Sequence, residues 1–203
     1  MRIIGVDPGL TRCGVGVIEL AAGRSVRFID VQVVRSSAGE SIEQRLLRIG
    51  HGVAELLERH QPDALAMERV FSRKDTTTVM ATAHASGVVM FQAARAGIPV
   101  TLHTPTEVKA AVTGYGAAEK AQVGTMTARL LGLEEVPKPA DAADALAIAI
   151  CHAFRAAGTG AAGLHGLAAP ERETGVDLTP AQKAWRAAEA SAAKGNGGRI
   201  LKR

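Results

Sequence analysis

Met1-Arg2-Ile3-Ile4-Gly5-Val6-Asp7-Pro8-Gly9 opens the chain as an apolar run that ends on an acid and then on a turn. A strand buried on both faces reads as a near-continuous apolar segment, and proline followed by glycine is turn chemistry. Two more strand-like runs follow at 13–20 and 25–35, linked by Ala21-Ala22-Gly23-Arg24. Connections this short predict an antiparallel meander.

Beyond the meander the pattern changes period. Ser41 with Gln44 three residues on has the form of a capping box, and Ile42, Leu46, Ile49, Val53 and Leu56 follow on one helical face, which predicts an amphipathic helix ending near His60. Pro62 stops it and Ala64–Glu68 resumes as a strand. A second helix is predicted from about 75 to 96, closed by Gly97. Its small residues Ala81, Ala83, Ala85, Ser86 and Gly87 suit close contact with another helix. A strand over 99–103 leads into Thr104-Pro105-Thr106-Glu107, a capping box with proline at the first helical position. Gly114-Tyr115-Gly116 ends that helix, another covers about 118–131, and Pro137-Lys138-Pro139 precedes a last core helix over 140–154. A meander followed by alternating helix and strand predicts an α/β fold with a mixed sheet flanked by helices, the ribonuclease H-like layout.

With 203 residues, 47% of them hydrophobic, one domain plus a tail is expected. The domain is placed at 1–155. From Ala156 onward alanine, glycine and scattered charge predict a mobile tail over 156–203, in which Thr179-Pro180-Ala181-Gln182 permits a short helix over 180–194. No apolar run reaches the length of a membrane span and no signal-peptide layout precedes the first strand, so a cytoplasmic protein without a membrane partner is expected. Cys13 and Cys151 read as buried free thiols. The net charge is +4, but 1–155 accounts for only +1 of it, so any nucleic-acid binding must rest on local clusters.

Four acids stand out against this frame. Asp7 and Glu68 each close an apolar strand, and Asp141 and Asp144 open an alanine-rich helix. Carboxylates belong in water, so an acid ending a buried strand needs a compensating cation. Parallel strands gather their C-terminal ends along one sheet edge, and residues three apart share a helix face, so three elements can aim four carboxylates at one point. Taken singly, Asp7 reads as a turn former, Glu68 as a surface acid beside Arg69, and Asp141 as a helix cap. Together, with no Cys/His pair at ligand spacing, the hard oxygen donors favour Mg²⁺ or Mn²⁺ over zinc, and with it phosphoryl transfer to water.

Gly5-Val6-Asp7-Pro8-Gly9, Met67-Glu68-Arg69-Val70-Phe71, Glu119-Lys120-Ala121-Gln122-Val123 and Asp141-Ala142-Ala143-Asp144-Ala145-Leu146-Ala147, in this order over about 1–155, resemble the RuvC family of bacterial Holliday-junction resolvases. The resemblance implies a homodimeric endonuclease that nicks two opposed strands of a four-way DNA junction during recombination and repair, leaving 5′-phosphate ends. It implies Asp7, Glu68, Asp141 and Asp144 as catalytic metal ligands, although some relatives carry histidine where this chain has Asp144. Two ions per site, roughly 3.5–4 Å apart, would hold the phosphate and activate water. It also implies RuvA and RuvB, the branch-migration proteins, as partners. Phe71 would be a wedge at the opened junction, set among Arg69, Arg73 and Lys74, and Lys109 and Lys120 would contact DNA near the site.

Three rivals are weighed against this reading. An actin-like or sugar-kinase ATPase shares the Asp-x-Gly turn but needs two such domains. A junction-binding protein without nuclease activity would be expected to lose part of the acidic set. An RNA-processing nuclease of the same fold is the nearest alternative, and Phe71 with the Asp141–Asp144 motif favours DNA. The six histidines, His84, His103 and His152 among them, show no ligand-like pairing in the sequence and read as structural.

Overall fold

In the computed structural model, which describes residues 1–22, 25–70 and 76–159, the meander forms from β1 (Arg2–Asp7), β2 (Arg12–Leu20) and β3 (Val26–Arg35). β1 pairs with β2 and β2 with β3, both antiparallel, with a register shift between Val17 and Ile18. Helix α1 (Ile42–His60) then returns the chain so that β4 (Ala64–Glu68) lies parallel to β1, and α2 (Thr76–Arg95) does the same for β5 (Val100–His103). The sheet order is β3-β2-β1-β4-β5. This is the mixed sheet expected.

Alternation along the strands divides the apolar side chains between two cores. Ile4, Val6, Val15, Leu65 and Met67 meet Ile49, Val53 and Leu56 of α1 and Val89 of α2 on one face. On the other face Ile3, Ile18 and Ala66 meet α3 (Pro105–Thr113), α4 (Lys120–Leu131) and, centrally, α5 (Ala140–Thr159). The α5 helix lies directly on β1 and β2. Glycine makes that possible: a Cβ on Gly14 would overlap the carbonyl oxygen of Asp141, and one on Gly5 the carbonyl oxygen of Ala145.

Local signals were honoured unevenly. Thr104 caps α3 as expected, its hydroxyl accepting from Glu107 N–H at 3.2 Å while the Glu107 carboxylate accepts from Thr104 N–H at 2.7 Å. Ser41 does precede α1, but its hydroxyl pairs with the nearer charged acceptor Glu43 and makes no cap bond, so the box with Gln44 does not form. The last helix runs five residues past its expected end at 154, to Thr159. Alanine-rich sequence favours its continuation, and Arg155 Nη1 anchors the added turn to Glu107 Oε1 at 2.9 Å. Cys13 and Cys151 are buried free thiols. The expected tail over 156–203 falls, from 160 on, outside the described residues, as does its short helix over 180–194.

Candidate active site

Asp7 is the last residue of β1, and its neighbour in register across the antiparallel pair is Gly14. Glu68 ends β4, the parallel neighbour of β1 on the other side. Because Gly14 carries no side chain, the first turn of α5 presses onto this end of the sheet and brings Asp141 beside β1, with Asp144 three residues on. The three elements therefore converge as the sequence pattern requires, and the helix N-terminus adds a partial positive field to its own acids.

The electrostatics register that convergence. Burial pushes the Asp7 carboxyl up to about 7, and the charges of Asp144, Glu68 and Asp141 push in the same direction, opposed only by Lys120. Lys120 Nζ lies 2.5 Å from Asp144 Oδ2, and this hydrogen bond chiefly holds the ammonium above the usual lysine range. Arg12 Nε lies 2.8 Å from Asp141 Oδ2. That oxygen is buried, yet no aligned hydrogen bond reaches it. Two cations of the chain thus sit on the two α5 carboxylates, one on each. Among the described residues, no three His, Cys, Asp or Glu side chains close on a single metal-sized point.

The arrangement fits a hard divalent cation in its chemistry. It offers only carboxylate oxygens, it leaves like charge unrelieved at Asp7, and it buries a carboxylate oxygen without a hydrogen bond. Asp7, Glu68, Asp141 and Asp144 are the residues whose carboxylates could hold such an ion.

Other expected residues fall differently. Arg69 follows β4 with its N–H donating to His103 O at 2.7 Å and its side chain exposed. Lys109 is half-buried on α3. Lys120, expected to touch DNA, stands inside the acidic cluster itself. Phe71, Arg73 and Lys74 lie outside the described residues. The histidines are structural as expected, and two of them meet: His103 Nε2 and His152 Nδ1 are 3.2 Å apart, both rings buried and packed edge to face. No sequence spacing announces a pair 49 residues apart, because β5 and α5 meet only through the fold. Arg12 was also missed; an arginine five residues after a strand-end acid was the available signal.

The family model described as crossover junction endodeoxyribonuclease RuvC matches residues 3–152. A protein of that name from Leifsonia xyli is 55% identical over 96% of this chain and 94% of its own length, and one from Clavibacter michiganensis is 56% identical over 93% and 96%. Among solved structures, Thermus thermophilus RuvC in complex with a Holliday junction substrate is 39% identical, covering 77% of this chain and 94% of its own, with a TM-score of 0.74.

Proposed function

The chain belongs to the RuvC family of crossover junction endodeoxyribonucleases, and from that premise we propose that Asp7, Glu68, Asp141 and Asp144 form its nuclease centre. It is a hydrolase that resolves four-way DNA junctions, and its family is metal-dependent. One observation carries the site assignment: Asp7, at a strand end, is pushed to about 7 by burial together with the other three carboxylates. The other three acids therefore lie within electrostatic reach of Asp7. Phosphodiester cleavage asks for positive charge at such a point, and bound divalent cations supply it while activating water.

The chain's own residues define what remains. Glu68 and Asp7 fix the sheet side of the centre and Asp141 and Asp144 the helix side, so the phosphate is held between a rigid strand edge and a helix N-terminus. Lys120 and Arg12 balance the helix-side acids, and both lie where a phosphate's negative charge would draw them away. We take the ion to be Mg²⁺ or Mn²⁺, two per centre, on the strength of the all-oxygen donor set.

Symmetrical nicking of opposed strands asks for two centres, and α2 supports a homodimer. Its face away from the sheet exposes Met80 (53%), Gly87 and Phe91 (61%), an apolar stripe at helical spacing, and space beside Gly87 is open. RuvA and RuvB complete the proposed partners. No helix among the described residues is long and apolar enough to cross a membrane, which suits a cytoplasmic site of action. The test is to compare cutting of a four-way junction, the matched duplex and a structured RNA, each with Mg²⁺, Mn²⁺ or chelator. Symmetrical nicks on the junction alone, dependent on the cation, are expected; RNA cleavage in preference to the junction overturns the reading.

A further inference from the structure

Beside the carboxylates, the β1–β2 turn, the start of α1 and α2 enclose an open cleft of about 350 Å³ whose polar lining is Thr11, Arg12, Arg45, Thr82 and Asp141. Arg45 is fixed across it by two neutral acceptors: Nη2 donates to Thr11 Oγ1 at 2.7 Å and Nε to Ser36 Oγ at 3.0 Å. Ser36 is itself buried and its hydroxyl donates to Leu10 O at 2.5 Å, so the chain Arg45–Ser36–Leu10 is a built network. Neither hydroxyl neutralises a guanidinium. Among the described residues Arg45 has no carboxylate within ion-pair distance, and Glu40, the acid it influences, is paired with Arg48. Arg12 enters the same cleft from β2, half exposed, with Nε on Asp141.

A rigidly oriented guanidinium without its own counter-ion is the arrangement that recognises a tetrahedral anion through paired N–H donors. The cleft reaches the carboxylates through Asp141, so the anion it suits is part of the DNA strand that the nuclease reading brings to those acids.

We propose that Arg12 and Arg45 form a phosphate clamp for the cleaved DNA strand, gripping a backbone phosphate next to the scissile one. The clamp rests on the nuclease reading of the neighbouring acids and adds to it the path of the strand. Arg45 is prepared in advance, whereas Arg12 is engaged by Asp141 and becomes available when a divalent cation occupies that carboxylate. The two arginines therefore act at different stages. Arg45 contributes to binding in the absence of metal, and Arg12 contributes once metal is present.

Junction binding followed by fluorescence anisotropy against salt tests this, first with chelator and then with Ca²⁺. Arg45→Gln should weaken binding about tenfold under both conditions. It should also lower the slope of log affinity against log salt by about 1, the signature of one lost phosphate contact. Arg12→Gln should match the wild type with chelator and fall below it with Ca²⁺. Because Arg45 also anchors Ser36 and Thr11, melting curves accompany each variant, and exposed Arg12 carries the test if Arg45→Gln fails to fold. A junction with a single methylphosphonate beside the cleavage point should weaken the wild type while leaving Arg45→Gln nearly unaffected. Arg45→Gln with wild-type affinity and slope, Arg12→Gln with wild-type affinity in Ca²⁺, or an equal methylphosphonate loss in wild type and Arg45→Gln, overturns the clamp. A wild type that neither binds nor nicks junctions overturns the nuclease reading instead, so the two failures are distinct.

Discussion

Burial, reinforced by the charges of Asp144, Glu68 and Asp141, raises the Asp7 carboxyl to about 7. Removing one charge from such a cluster removes affinity for cations and leaves the surrounding basic contacts in place. Asp7→Asn, Glu68→Gln and Asp141→Asn are each expected to abolish nicking while preserving junction binding, measured by nicking assay and gel shift on the same preparations. Wild-type cutting by any of them removes that residue from the centre. Asp144→Asn should be milder, since Lys120 already engages this carboxylate. The histidine pair gives a residue-level prediction in pH. Burial lowers both His103 and His152 from 6.5 to about 4, with the His152 charge adding to the effect at His103. Between those values the unfolded chain binds more protons than the folded one. Stability is thus fully present above pH 6.5 and falls as pH drops toward 4. Asp7 works in the opposite direction over pH 4–7, because its folded value is raised. Urea midpoints of the Asp7→Asn protein between pH 7 and 4.5 isolate the histidine slope, and His103→Phe with His152→Leu should flatten it.

Elements position these residues, and α5 does most of it. Gly14 and Gly5 let its backbone rest on the sheet, so a single methyl group at either place must push the helix outward. Gly14→Ala should cost about 1–3 kcal/mol in urea unfolding, as overpacking does, and should reduce nicking far more than that loss of folded protein accounts for, because Asp141 moves with the helix. A variant destabilised but catalytically intact would show that the site tolerates a shift of α5. On α2 the exposed stripe makes a separate claim: Gly87→Arg or Phe91→Glu should give monomers in analytical sedimentation, and a persistent dimer would place the contact elsewhere. Most of these elements could be read from period and punctuation. The strands were apolar runs between turn residues, and Thr104 capped its helix through residues three apart. Ser41 shows the limit of such reading, since a charged neighbour took the hydroxyl that the pattern assigned to the backbone.

At the scale of the molecule, the four acids were legible because carboxylates at the ends of apolar segments contradict the chemistry of their surroundings, and such contradictions are visible in a string of letters. Their counter-ions were not. Arg12 and Lys120 are ordinary basic residues by local pattern, and only the apposition of β2, α4 and α5 makes them part of the centre. The same holds for the His103–His152 contact, which joins the edge strand to the middle of α5. The two faces of the sheet also divide in how they are covered. Helices α1 and α2 meet it through side chains such as Ile49, Val53, Leu56 and Val89, whereas the backbone of α5 comes down onto Gly5 and Gly14 of the strands. The two faces therefore differ in tolerance: a side chain at Gly5 or Gly14 has no room unless the backbone of α5 shifts, so the spacing of two of the four acids from the sheet is set by the absence of atoms on the strands beneath them.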